Sequence, residues 1–130
     1  MGAKIERLAA KTVFDPPTYS QTIKVTGAET ILFISGQIPF DPQTGIMIEG
    51  DISAQTRQVL QNIGALLKSG GLSYGHVVRT TVFLANMDDF AAMNDVYRTF
   101  FEEPYPARST VQAARLPRDA RIEIDVIAMA

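Results

Sequence analysis

The chain has 130 residues, 46% of them hydrophobic and 20% charged, and its 12 Lys and Arg against 14 Asp and Glu leave a net charge of −2. That length suits one domain, residues 1–130, and the mild acidity with no basic stripe speaks against nucleic acid as a partner. Cysteine is absent, which excludes disulfides, thiol nucleophiles and thiolate metal sites together.

The first residues, MGAKIERLAAKTVFDPP, carry charges where a signal peptide would need an apolar run, so a cytoplasmic protein is the default expectation. No apolar stretch approaches a membrane span, and no membrane partner is expected. KIERL (Lys4–Leu8) reads as a short strand, and SQTIKV (Ser20–Val25) alternates loosely as another. TILFISGQ (Thr30–Gln37) is apolar at every place from Ile31 to Ile34, the pattern of a strand buried on both faces. PFDPQTG (Pro39–Gly45) is turn-forming through its prolines and glycine.

From Asp51 to Ser69 the period changes. Ile52, Thr56, Val59, Leu60, Ile63, Leu66 and Leu67 recur at three- and four-residue steps, one face of a helix. Asp51 is placed to cap it and Gly70-Gly71 to stop it. HVVRTTVFLAN (His76–Asn86) is a strand rich in β-branched residues. A second helix is expected from about Asp88, with Phe90, Met93, Tyr97, Phe100 and Phe101 on one core face and Pro104 as its end. PARSTVQAARLPRDARIEIDVIA (Pro106–Ala128) reads as two strands joined by a short basic loop, locally a hairpin. The order β-β-β-α-β-α-β-β is that of an α/β or α+β domain.

Two helices can cover only one face of a sheet this wide. Yet Ile31 to Ile34, and again Val77, Val78, Val82, Phe83 and Leu84, put bulk on both sides of their strands. A monomer would expose the second face as a large apolar patch, so that face is expected to pack against other subunits.

Laid out in this way, the chain resembles the YjgF/RidA family, the reactive intermediate deaminases also known as L-PSP endoribonucleases. The likeness runs from about Tyr19 to Ala128. It is carried by YSQ (Tyr19–Gln21), FISGQIPFDPQTG (Phe33–Gly45), QTRQVLQNI (Gln55–Ile63), VVRTTVFLANMDDFAAMNDVY (Val77–Tyr97) and the Pro106–Ala128 segment, with the last two the most specific. The resemblance implies an α+β fold: a chorismate-mutase-like mixed β-sheet with two helices on one face. It also implies a barrel-like homotrimer with sites in the clefts between subunits. Against the hairpin reading, it implies that the Val77–Leu84 strand lies between the last two strands.

The activity implied is hydrolysis of 2-imino or 2-enamino acids, of the 2-iminobutanoate and 2-iminopropanoate type, to 2-oxo acids and ammonia. In the family's pattern the arginine of PARS, here Arg108, binds the substrate carboxylate, and a guanidinium fork suits that task. Glu123 is taken to hold or activate the attacking water. Such imines already hydrolyse in water, so positioning, charge stabilisation and a proton relay suffice, with no metal and no cofactor. Tyr19, Ser35, Gly36, Asn94 and Thr110 match positions that line the family's pocket and are candidate substrate-binding residues.

Each has a plainer reading. Arg108 alone would be a surface strand residue, Glu123 a solvated one, Tyr19 a half-buried aromatic, and Asn94 a structural capping group. Glycine at a strand end such as Gly36 usually means a bend or a close backbone approach. His76, the single histidine, precedes a strand and matches no catalytic position of the family. The chain departs from the family at Thr110, where a cysteine is usual, and at Pro17-Thr18, where Gly-Pro is usual, so substrate preference is open there. The rival functions are a trimer that binds 2-oxo or amino acids without turnover and, with little support from charge or histidine content, an endoribonuclease.

Overall fold

The structure, a computed structural model, describes residues 2–130. Strands β1 (Lys4–Leu8), β2 (Thr22–Thr26) and β3 (Ile31–Gln37) precede helix α1 (Ile52–Ser69). Strand β4 (Val77–Leu84), helix α2 (Phe90–Tyr97) and strands β5 (Ala107–Gln112) and β6 (Ile122–Met129) follow. The order is the one read from the sequence. Among the described residues no helix is long and apolar enough to cross a membrane.

The strands form two sheets. β1 and β2 make an antiparallel ribbon, and the main sheet has the order β3-β6-β4-β5. β6 is antiparallel to both its neighbours, while β4 and β5 are parallel. Parallel neighbours need a crossover, and α2 supplies it. The local hairpin reading of β5 and β6 is therefore corrected: β4 lies between them, as the family resemblance implies. The short basic loop invited the hairpin because loop length constrains only reach, not the strand a chain pairs with. That loop carries Arg118 and Asp119 at positive φ.

Helix α1 follows its signals closely. The Asp51 side chain accepts from the Ala54 N–H at 2.9 Å, satisfying one of the unpaired donors of the first turn. Gly70 N–H returns to the Leu66 and Leu67 carbonyls, and Gly71 adopts φ +77°, a conformation glycine takes without strain. Helix α2 ends at Tyr97, seven residues before Pro104. The Thr99 N–H bonds Val96 O and the Phe100 N–H bonds Tyr97 O, a tightened final turn that uses up the end of the helix. Phe101 still reaches the core, packed against Tyr97 and Tyr74.

Both helices pack on the sheet face made by Ile122, Ile124, Val126 and Ala128 of β6 with Val82 and Leu84 of β4. Alternation puts Glu123, Asp125, Ile127 and Met129 on the other face, beside Phe33 and Phe83. Among the described residues no helix covers that face in the single chain. Phe33 is 77% exposed and Ile31 48%, so the β3 run read as buried on both sides buries only one of them here. The β1–β2 ribbon leans toward one end of this face across a cleft lined by Ile23, Val25, Arg79, Ile127 and Met129.

Candidate active site

Arg108 lies on the helix-covered face. Its strand partner is Thr80, and the next residue on the same side, Thr110, pairs with Val82. Arg108 is only 8% exposed, which corrects the plain reading of a surface arginine. Its guanidinium carbon stands 4.6 Å from the ring centre of Tyr97, 5.1 Å from that of Tyr19 and 5.6 Å from that of Phe90. Three rings at these distances attract a cation through their negative faces. One Nη donates to Asn94 Oδ1 at 2.7 Å. Among the described residues no carboxylate forms an ion pair with Arg108. Burial pulls its pKa down from the ordinary value, while Tyr97 and Tyr19 oppose the shift. Arginine stays protonated through such a change. The result is a buried cation held by neutral groups.

The recess over this cation has a volume of about 170 Å³ and is lined by Tyr19, Phe90, Arg108 and Thr110. The Thr110 hydroxyl is buried with no hydrogen-bond partner among the described residues. Helix α2 supplies Phe90, Asn94 and Tyr97, at the four- and three-residue steps that share one helix face. Tyr97 is fully buried and its hydroxyl bonds Thr80 Oγ1 at 2.8 Å, while burial pushes its pKa up. Asn94 Nδ2 donates to Thr18 Oγ1 at 3.3 Å, tying α2 to the segment that carries Tyr19. That segment is anchored by Ser20, whose N–H bonds Pro106 O and whose hydroxyl bonds Tyr105 O.

Glu123 lies elsewhere. It pairs with Phe83, three residues from Thr80, and so projects from the opposite face of the sheet to Arg108. Its neighbour is Gly36, at the irregularity in β3 where pairing with β6 shifts register between Ile34 and Gln37. A Cβ on Gly36 would overlap the Glu123 carboxylate, so the glycine leaves the room that this side chain occupies. Gln37 Nε2 donates to the Ser35 carbonyl freed by the irregularity.

The candidate residues therefore form two groups. Tyr19, Asn94, Arg108 and Thr110 meet on the helix side, and Gly36 and Glu123 meet on the bare side, while Ser35, next to Gly36 in the chain, lines a recess with Asp125, Val126 and Ile127. From sequence, Thr80 has no role, Phe90 and Tyr97 belong to the core, and Thr18 stands out only as a departure from the family's pattern. The spacing of Phe90, Asn94 and Tyr97 on α2 was the available signal, but aromatic residues on a core helix are most simply core. His76 has a structural task, accepting from the Ser73 N–H at 3.0 Å at the entry to β4. Among the described residues no cluster of three or more His, Cys, Asp or Glu could hold a metal ion.

The family model described as Endoribonuclease L-PSP matches residues 14–130. A RutC family protein of Pyrococcus horikoshii is 54% identical over 110 residues, 85% of each chain. The 2-iminobutanoate/2-iminopropanoate deaminase of Salmonella typhimurium is 48% identical over 103 residues, 77% of this chain and 80% of the relative. Among solved structures, Escherichia coli TdcF with bound serine superposes with a TM-score of 0.74 at 42% identity, covering 88% of this chain and 90% of that one. The fold is thus the mixed-sheet, two-helix α+β fold of these proteins. The chain belongs to the Endoribonuclease L-PSP family, the YjgF/RidA proteins.

Proposed function

We propose that the protein is a cofactor-independent imine deaminase, hydrolysing 2-imino and 2-enamino acids of the 2-iminobutanoate and 2-iminopropanoate type. The observation that carries the reading is Arg108: a buried guanidinium, caged by three rings, with no carboxylate partner among the described residues. A buried charge costs several kcal/mol of desolvation unless something compensates it. A bound carboxylate does so with paired, charge-assisted hydrogen bonds. The recess is small, as a four-carbon acid requires.

The chemistry needs few further groups. An enamine takes a proton at carbon, gives one up from nitrogen, and becomes the imine. Water adds to C2 as Glu123 accepts its proton, and the carbon–nitrogen double bond becomes a single bond. That proton passes to nitrogen, giving the carbinolamine. The hydroxyl proton then follows it to nitrogen as the C2–O bond becomes double, ammonia leaves with the carbon–nitrogen bonding pair, and the 2-oxo acid remains. No electron is transferred to or from an external acceptor. Glu123 cannot reach the ligand on Arg108 of its own chain, because the sheet stands between them. The reading therefore takes Glu123, with Ser35 and Gly36, from a second copy packed on the bare face, in a homotrimer. The exposed Phe33 and Ile31 on that face favour such packing.

The test is formation of 2-oxobutyrate and ammonia above the spontaneous rate from iminobutyrate generated in situ. Wild-type protein should accelerate it, and Glu123→Gln should bind 2-oxobutyrate while losing about 10²–10⁴-fold in rate, the usual loss of a general base. Binding of 2-oxobutyrate with no acceleration by the wild type would leave a ligand-binding trimer in place of an enzyme. The serine bound by TdcF is the observation favouring that second reading.

A further inference from the structure

We infer that Asn94 is a positioning residue that fixes Arg108 while leaving its charge uncompensated, so that the carboxylate of a ligand is the first full counter-charge the guanidinium meets. This rests on the reading of Arg108 as the carboxylate anchor.

A guanidinium only donates, so the group that meets it must present an acceptor. Asn94 Oδ1 does this at 2.7 Å. The other end of the amide is engaged as well, with Nδ2 donating to Thr18 Oγ1. Both polar ends of Asn94 are therefore occupied within the chain, and it acts on a ligand through Arg108. Every other group around the guanidinium is also neutral. Tyr19, Phe90 and Tyr97 offer ring faces, and the Tyr97 hydroxyl is held by Thr80. The cage orients the cation and cancels none of its charge.

An aspartate at position 94 would have nearly the same shape and would accept the same hydrogen bond. It would also place a full negative charge 2.7 Å from the guanidinium, where the amide oxygen now stands. The pair would be partly buried, short and charge-assisted, and the site would carry its own anion. Neutrality at residue 94 is thus what keeps the recess open to an external carboxylate. Alanine at 94 would remove the strut but leave the charge unpaired.

The two substitutions give opposite orders for stability and for binding. The probe is 2-oxobutyrate, titrated calorimetrically into wild-type, Arg108→Ala, Asn94→Ala and Asn94→Asp proteins, with thermal unfolding followed without ligand. Asn94→Ala should bind about tenfold more weakly than wild type, the loss typical of one hydrogen bond to a charged group. Asn94→Asp should unfold at a higher temperature than Asn94→Ala yet bind about a hundredfold more weakly than wild type, because it forfeits the charge-assisted pair. A purely structural asparagine predicts the reverse order in binding, since aspartate keeps both shape and hydrogen bond. An Asn94→Asp protein that binds as well as Asn94→Ala, or that is less stable than it, overturns the inference. Equal binding by wild type and Arg108→Ala, or none by wild type, removes the anchor reading and Asn94 with it. Loss of binding in Arg108→Ala with wild-type binding in Asn94→Asp removes the Asn94 inference alone.

Discussion

The contact between Gly36 and Glu123 makes the role assigned to the carboxylate open to a small perturbation. In Gly36→Ala the new Cβ would overlap the Glu123 carboxylate and press on its Cγ at 3.1 Å. Gly36 is not at positive φ, so alanine fits the backbone there. The far end of Glu123 is flexible and must turn aside, at a cost of about 0.5–1.5 kcal/mol for an off-rotamer side chain. Replacing glycine restricts the unfolded chain, which contributes about 0.4–1 kcal/mol in the other direction. The two nearly cancel, so the unfolding midpoint should move by no more than a few degrees. The rate should respond far more, because a displacement of about 1 Å in a catalytic group can cost about a hundredfold. Affinity for 2-oxobutyrate should fall far less than the rate, since the new Cβ meets the Glu123 side chain and leaves the guanidinium fork that grips the carboxylate unaltered. The assay is 2-oxobutyrate formation from iminobutyrate, with calorimetric binding and thermal unfolding on the same preparation. Wild-type turnover in Gly36→Ala would refute the claim that the position of this carboxylate matters to the chemistry.

Other consequences follow from the same geometry. Arg108→Ala and Arg108→Lys should both lose accelerated hydrolysis in the same assay; lysine keeps the charge without the planar fork, and loss of one or two charge-assisted bonds predicts a drop of about ten- to several-hundredfold. Because Arg108 is buried among three rings, Arg108→Ala should also move the unfolding midpoint, measured calorimetrically, more than an exposed arginine would. Phe33→Asp, placing charge on the bare face, should convert a species of about three chain masses into one near 14.2 kDa by light scattering and should abolish turnover with it. Deaminase activity should survive exhaustive chelation: the chain has no cysteine and one histidine, too few ligands for the usual catalytic zinc site, and recovery of lost activity by added metal would contradict this.

The order of elements was legible because each carried its own local signal. Asp51 and the Gly70-Gly71 pair bounded α1, and β-branched runs marked β4 and β6. What local pattern could not carry was the pairing of strands distant in sequence. Residues 113–121 are short enough for a hairpin, and only the crossover through α2, with β6 threaded beside β4, decides otherwise. The same gap hid the arrangement of the site. Arg108 and Glu123 each sit on a regular face of their own strand, but whether those faces coincide depends on the register through β4. That register sets them on opposite sides. The environment of Arg108 was equally out of reach, since Tyr19, Phe90 and Tyr97 come from separate segments and meet only in the folded chain.

The central claim is that one active site takes Arg108 from one copy and Glu123 from another, and subunit mixing tests it most directly. Arg108→Ala and Glu123→Gln proteins, each inactive alone, are unfolded together in equal amounts and refolded. In a closed ring each site joins two neighbouring copies, so random assembly should leave about one quarter of the sites with both native residues. The account predicts that deaminase activity reappears at about a quarter of the wild-type level, and only after mixing. If refolded mixtures contain both chains in one oligomer and stay as inactive as the separate proteins, the two residues do not work across subunits, and the proposed site is wrong.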